Sequence, residues 1–291
     1  VADRDGIWTR GGAHVEELPD PFVPIAMPGI DEPGAAPAEA QPKPRRSWRR
    51  VIFYAISAVL MLTLLWLVVT APLSRALEPL DDPALLLLSQ EGRPIARRGA
   101  IKEAPVEAAA LDPLTPAAFV AIEDRRFHRH WGIDPRAIGR AMVANARAGG
   151  VRQGGSTITQ QLAKTSFLSS DRSLKRKAQE VIISFWLEAW LTKEEILSRY
   201  LSSIYFGDGV YGLRAAARHY FNRSPDNLTL AQSAMLAGLV QAPSRLAPTR
   251  NLRLAQKRGR LVLDAMADTG VISATRAQAV VPARPVTQAV K

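Results

Sequence analysis

From Val51 to Ala71 the chain reads VIFYAISAVLMLTLLWLVVTA, with no charged position. These 21 residues would make about 31 Å of helix at about 1.5 Å per residue, close to the thickness of a bilayer core. The run is too long for the apolar core of a cleavable signal peptide, and no small-residue cleavage site directly follows it. A transmembrane helix is therefore expected over 48–71, with Trp48, Tyr54 and Trp66 as candidate interfacial anchors. Before it, residues 1–47 are rich in Pro, Ala, Gly and Glu and carry neither helical nor strand periodicity, which predicts a disordered tail. After it, the prolines of 72–110 predict a short strand-and-loop connector. From 111 to 275 the apolar spacing is helical and convincing alternation at period two is absent, so the expected class is all-α, with 276–291 as a C-terminal tail.

Helix boundaries are marked by local chemistry. Thr115-Pro116 offers an N-cap and a first-turn proline for a helix carrying Glu123 and Phe127 on one face, four residues apart. Asp134-Pro135 repeats the device, and Gly149-Gly150 stops that second helix. Ser173 caps a long helix running to Leu191, Thr192 with Glu195 reads as a capping box, and Thr229 opens LTLAQSAMLAGLV. A basic amphipathic helix is expected from Asn251 to Ala267, closing near Gly270. Gly207-Asp208-Gly209 is a turn, with too few acidic ligands for a calcium loop.

Charge adds orientation. Residues 1–50 hold 7 basic and 8 acidic groups, while 72–291 hold 31 basic and 19 acidic groups, so the net charge of +11 belongs to the large C-terminal region. Such a surface attracts polyanions: nucleic acid, anionic headgroups or phosphorylated substrates. Lys43, Arg45, Arg46, Arg49 and Arg50 crowd one side of the apolar run, whereas Arg75 on the other is accompanied by Glu78, Asp81 and Asp82. The positive-inside rule then puts the N-terminus in the cytoplasm and 72–291 outside. No nucleic-acid partner is expected, because the basic region lies outside the cytoplasm and no RNA- or DNA-binding motif is visible. Without cysteine, disulfides and thiolate metal sites are excluded.

Three polar clusters carry the candidate chemistry. The first runs from Glu123 through Asp124, Phe127 and His130 to Gly132. Beside Phe119 and Ile122, a Glu123 carboxylate has its charged form disfavoured and can work as a base; the competing reading is a surface Glu paired with Arg126 or Arg129. Asp124 reads as a partner for backbone or arginine, and His130 as a structural histidine rather than a ligand. The second cluster, Gly154-Gly155-Ser156-Thr157-Ile158-Thr159-Gln160-Gln161, precedes a helical run. Its glycines permit close approach to a ligand, a helix N-terminus offers N–H groups to an anion, and its hydroxyls and amides can read sugar hydroxyls. The third holds Lys164, Arg172, Arg176 and Lys177 with Glu180. Glu180 can pair with Arg176 on one helix face, bind a divalent cation, or position the phosphate-binding cations. Two carboxylates, a glycine-hydroxyl-amide loop and a row of cations suit sugar transfer from a phosphate-bearing donor.

These residues resemble the peptidoglycan glycosyltransferases, glycosyltransferase family 51, and specifically the monofunctional biosynthetic type. The likeness spans roughly residues 85–270. EDxxFxxHxG is matched by Glu123, Asp124, Phe127, His130 and Gly132; GxSTITQQ by Gly154 to Gln161; RKxxE by Arg176, Lys177 and Glu180. KxEILxxYLN is matched by Lys193, Glu195, Ile196, Leu197, Tyr200 and Leu201, with Ser202 in place of Asn. Gln232 and Val240 stand where Glu and Pro are common.

The resemblance implies a lysozyme-like glycosyltransferase domain over 111–275, anchored in the inner membrane and facing the periplasm. Its substrates would be lipid II and the nascent glycan chain. Glu123 would be the general base, and Glu180 would organise the donor site, with Mg²⁺ or Mn²⁺ as the expected cofactor. Lys164, Arg172, Arg176 and Lys177 would hold the pyrophosphate. Asp124, Phe127, His130, Ser156, Thr157, Gln160 and Gln161 would complete the cleft. The apolar run Ala137 to Val143 sits at a lipid-dipping segment of the family. Inner-membrane lipid and cell-wall synthesis or division proteins are the expected partners. Ser-x-x-Lys and Lys-Thr-Gly are missing and the chain ends about 20 residues after Gly270, so no transpeptidase activity is expected. Two other readings stand beside it: a glycan-cleaving muramidase or lytic transglycosylase, and a weakly active scaffold for wall synthesis.

Overall fold

A computed structural model describes residues 48–77, 85–88, 94–98, 100–150, 154–168 and 173–286. The tail expected over 1–47 lies outside the described residues. Helix α1, Trp48–Thr70, is 23 residues long with none of them buried, and it is long and apolar enough to cross a membrane. Helix α2 (Leu73–Leu77) follows, then an antiparallel pair of strands, β1 (Leu85–Leu88) and β2 (Pro94–Arg98), with Leu85 opposite Arg98.

The rest is helical apart from one small hairpin. In order come α3 (Leu114–Glu123), α4 (Pro135–Ala148), α5 (Ile158–Phe167), α6 (Leu174–Trp190) and α7 (Lys193–Ser203). Strands β3 (Tyr205–Gly207) and β4 (Val210–Tyr211) then pair antiparallel. Helices α8 (Leu213–Phe221), α9 (Leu230–Leu239), α10 (Pro243–Leu246), α11 (Pro248–Asp268) and α12 (Ala274–Ala279) complete the chain. Two packed groups form the body: α3 lies against α9 and α11, and α5 lies against α6 and α7. Phe119, Phe127, Leu162, Ile183, Tyr200 and Phe206 are completely buried among them, with Phe119 edge-on to Phe206 at 6.1 Å. The chain is all-α, as its periodicity predicts.

Most helix starts follow the sequence. Asp134 accepts from Arg136 N, Ser173 accepts from Arg176 N, and Thr157, Thr192 and Thr229 close full capping boxes with Gln160, Glu195 and Gln232. Each such cap stabilises by about 1 kcal/mol. Gln232, unusual by comparison with the family pattern, is thus the residue that closes the α9 cap. Ser202 is likewise engaged, accepting from Val106 N at 2.9 Å.

The start of α3 differs from expectation. Asp112 Oδ1 accepts from Leu114 N at 2.8 Å, so the helix begins before Thr115. Thr115 is buried inside it and shares a 2.8 Å hydrogen bond with Ser233 of α9. The helix also ends at Glu123, because Asp124 leaves helical geometry at φ −156°, ψ 77°. Phe127 therefore sits in a separate 3₁₀ turn, Phe127–Arg129, and does not share a helix face with Glu123.

Candidate active site

Glu123 closes the last turn of α3 and is partly buried. Gln161 of α5 donates from Nε2 to Glu123 Oε2 at 2.8 Å, and the Tyr200 hydroxyl of α7 donates to Gln161 Oε1 at 3.2 Å. Three helices thus converge on one carboxylate. Burial is the leading influence and raises the Glu123 carboxyl above its ordinary range; the Gln161 hydrogen bond and the charge of Arg258 pull it down, and Asp124 pushes it up. Tyr200 is held far above the ordinary phenol range, by burial first and then by the charges of Glu123 and Asp124, so it stays a neutral donor. The surface reading of Glu123 fails at Arg126, whose Nη1 is bonded to Asp134 at 3.0 Å.

Asp124 has a structural task. It accepts from His130 Nε2 at 2.9 Å and from Ile158 N at 3.1 Å. The anion at the N-terminus of α5 is therefore Asp124 itself, which uses the N–H expected to meet a ligand. Thr157 and Gln160 are buried and spent on the cap, and the Thr157 hydroxyl also donates to Gly132 O at 2.6 Å. Gly132 has φ +71°, and a Cβ there would stand 3.0 Å from the Ser184 backbone, so this corner needs glycine. Gly155 approaches α4 rather than a ligand, since its Cβ would lie 3.1 Å from Ile138 Cα. Of the second cluster, Ser156 and Gln161 face the polar groups of the site.

Two cations gather around Glu180 in the first turns of α6. Lys177 Nζ reaches Ser156 Oγ at 3.3 Å and also bonds Glu180 Oε1, while Arg176 Nη1 lies 3.4 Å from Glu180 Oε2. Glu180 is almost fully buried between them. Lys164 is exposed on α5 three residues beyond Gln161, about 4.5 Å further along the axis at about 1.5 Å per residue. Helix α5 and its leading residues therefore touch Glu123 through Gln161 and the cation pair through Ser156. Arg172 lies outside the described residues.

Several contributors take their role from packing rather than from local sequence. Lys193 Nζ binds His130 O and Glu188 Oε1, both at 2.7 Å, and sits 4.5 Å over the Phe127 ring. Glu188 also accepts from Thr159 at 2.6 Å. This network fixes the 3₁₀ turn after Glu123 although Lys193 reads in sequence as a helix start. Tyr200, a member of the KxEILxxYLN motif, and the charge of Arg258, in no motif, act on the site through long-range contacts. At the other end of α6, Gln179 Nε2 donates to Thr70 O at 3.1 Å and Lys175 Nζ lies 4.5 Å from the Trp66 ring. The cation row thus begins beside the C-terminal end of α1. On α4, Ile138, Met142 and Val143 are exposed, as is Trp131.

A lone buried glutamate whose oxygens each meet a cation is a poor metal ligand. No group of three or more His, Asp or Glu able to hold a metal occurs among the described residues. With both oxygens engaged by cations, the Glu180 site leaves no free carboxylate oxygen for a Mg²⁺ or Mn²⁺ held by the protein alone, ions that bind one or two carboxylates together with substrate phosphates and water. It fits the alternative, in which Glu180 positions Arg176 and Lys177.

Among the described residues, all-α packing holds a shielded carboxylate and a cation–glutamate cluster at the two ends of the Ser156–Gln161 segment. The Transglycosylase family model matches residues 91–267, and the chain belongs to that family. It is 41% identical over 204 residues to penicillin-binding protein 1F of Bacillus subtilis (strain 168), covering 68% of this chain and 29% of that protein. It is 43% identical over 187 residues to penicillin-binding protein 1A of Escherichia coli (strain K12), covering 64% and 22%. A crystal structure of penicillin-binding protein 1A from Haemophilus influenzae aligns with TM-score 0.41 at 23% identity, over 70% of this chain and 21% of that one. The chain spans about a quarter of the length of these relatives.

Proposed function

We propose that the chain polymerises lipid II into glycan strands. The Glu123 carboxylate takes the proton from the 4-hydroxyl of the acceptor N-acetylglucosamine. That oxygen forms its bond to the anomeric carbon of the donor with inversion. The carbon–oxygen bond to the pyrophosphate breaks, and undecaprenyl pyrophosphate leaves with the electron pair. Lys164, Arg176 and Lys177, with Arg172 beside them in sequence, meet the charge that grows on the leaving group. Glu180 holds Arg176 and Lys177 in place, and no step needs a metal held by the protein alone.

The observation that carries this reading is the double engagement of the Ser156–Gln161 segment, with Gln161 on the base and Ser156 on the Lys177 ammonium. A base shielded from water works near neutral pH, and cations aimed at a leaving group act where charge develops. Glycan cleavage needs one or two carboxylates but no pyrophosphate clamp, so the cations disfavour that alternative. Helix α1 supports anchoring in the cytoplasmic membrane, with the flanking charges favouring a cytoplasmic N-terminus, and the apolar face of α4 supports contact with lipid. Wall-synthesis or division proteins are the partners such a placement would meet.

The test is polymerisation of purified lipid II by the full chain in detergent or vesicles. Growth of glycan polymer, lost in Glu123→Gln, supports the proposal. Release of soluble muropeptides from finished sacculi, without polymer from lipid II, overturns it in favour of cleavage. Polymer formation by Glu123→Gln at the parent's rate removes Glu123 from the chemistry.

A further inference from the structure

We infer that Lys193 of α7, paired with Glu188 of α6, is a positioning residue that sets the base Glu123 against its amide partner Gln161. The inference rests on the proposed role of Glu123 and gives a part in the reaction to a charge that touches neither of those two side chains.

Lys193 is the first residue of α7, and Glu188 lies in the last turn of α6. Each charge stands at the end of its own helix that opposes it, since a helix N-terminus is partly positive and a C-terminus partly negative. Both side chains are also withdrawn from water, 19% and 4% exposed, and they meet at 2.7 Å. Desolvation offsets much of the attraction in such a pair, so it adds little stability by itself. Two charges held against their own helix dipoles argue for a purpose beyond closing the α6–α7 corner.

What the pair holds supplies that purpose. One arm runs to the base: the Lys193 ammonium donates to His130 O at 2.7 Å, the His130 ring bonds Asp124 at 2.9 Å, and Asp124 directly follows Glu123. The other arm runs to α5: Glu188 Oε1 accepts at 2.6 Å from the hydroxyl of the fully buried Thr159, two positions before Gln161. The 2.8 Å bond from Gln161 to Glu123 closes a ring of contacts whose far side is the Lys193–Glu188 pair. Ile158 N on Asp124 and the Thr157 hydroxyl on Gly132 O also join α5 to the turn after Glu123. Those two bonds grip the entry of α5 and leave it free to roll about them. Thr159 on Glu188 adds a third point, which fixes the roll and with it the direction of Gln161. A displacement of about 1 Å at a reacting group costs about 10²-fold in rate, so the roll matters to the reaction.

The experiment separates positioning from stability. Lys193→Met alone leaves Glu188 buried without its cation, which destabilises the fold for reasons unrelated to the reaction. Lys193→Met combined with Glu188→Gln removes both charges, and the new amide can still accept from Thr159. The full chain of each variant is compared with the parent by thermal unfolding, by steady-state kinetics with lipid II, and by NMR of the Gln161 side-chain amide, assigned by its loss in Gln161→Ala. The double variant should melt above Lys193→Met, yet its kcat should stay about ten-fold or more below the parent's with KM unchanged. Its Gln161 amide protons should exchange with solvent faster than in the parent. A kcat equal to the parent's, a loss confined to KM, or an amide as protected as the parent's overturns the assignment. Should the double variant fail to fold, Thr159→Val decides, because it breaks only the arm to α5: lower kcat at unchanged KM supports the assignment, and parent values of kcat and amide protection overturn it. Should the parent fail to polymerise lipid II, the proposed function falls, while the Gln161 amide still decides the role of Lys193.

Discussion

Gln161 donates to Glu123 at 2.8 Å across 38 positions of sequence, and its other amide atom receives the Tyr200 hydroxyl. One side chain therefore both aims the carboxylate and links it to a buried phenol. Replacing Gln161 by Ala should free the carboxylate to rotate and remove a bond that favours its charged form. We expect kcat for lipid II polymerisation to fall about 10²-fold, with the acid limb of the pH profile moved upward. Steady-state kinetics across pH checks both, and Gln161→Glu should not rescue, because two carboxylates would then face each other.

Glu123→Gln should be inactive yet more stable than the parent at neutral pH. The carboxyl is raised by burial in the folded state, so its contribution to stability is fully present below the unfolded value and is lost as pH rises through the folded one. Glutamine carries no charge to desolvate and can still accept from Gln161. Thermal unfolding should show the variant's advantage growing from acid to neutral pH, by about 2–4 °C for each kcal/mol regained. An advantage that shrinks over that range would contradict the buried, raised carboxyl.

Glu180→Ala leaves Arg176 and Lys177 adjacent without their shared anion. Lys177 is about half exposed, which limits the stability cost to about 1–3 kcal/mol. The larger effect should fall on the donor: a raised KM for lipid II and a steeper loss of activity with salt, because loosened lysine and arginine head groups are screened more easily. Equal losses in KM and kcat with unchanged salt dependence would argue for a different role.

Titrating the chain with Mn²⁺ in the absence of lipid II should reveal no stoichiometric site and no rise in melting temperature beyond an ionic-strength control. Both oxygens of Glu180 are already taken by cations. Saturable one-to-one binding that Glu180→Gln abolishes would overturn that assignment.

The sequence disclosed what is local. Thr157, Thr192 and Thr229 announce helix starts because a cap and its reciprocal partner lie within one turn. The exposed cations and the shielded Glu123 were readable for the same reason, as residue types within short windows. Asp124 was legible as a partner for backbone, but which backbone it meets, and the bond from Thr157 to Gly132, depend on how α5 meets the turn after α3. The start of α3 lies earlier than Thr115-Pro116 predicts because Asp112, three residues upstream of Thr115, takes the first free N–H, while the Thr115 hydroxyl finds Ser233 in the core. Arg258 and Lys193 belong to helices remote in sequence, and only packing reveals their targets.

The first turns of α6 are moored to the end of α1 by Gln179 on Thr70 and Lys175 on Trp66. If α1 crosses a bilayer, this mooring keeps Arg176 and Lys177 at the waterline. A lipid-tailed donor would then find them by drifting sideways, and the spent carrier would leave the same way. Turnover would follow the crowding of molecules per unit area rather than per unit volume. Diluting vesicles with buffer would leave the rate per vesicle untouched, whereas spreading the same molecules through inert lipid would slow it.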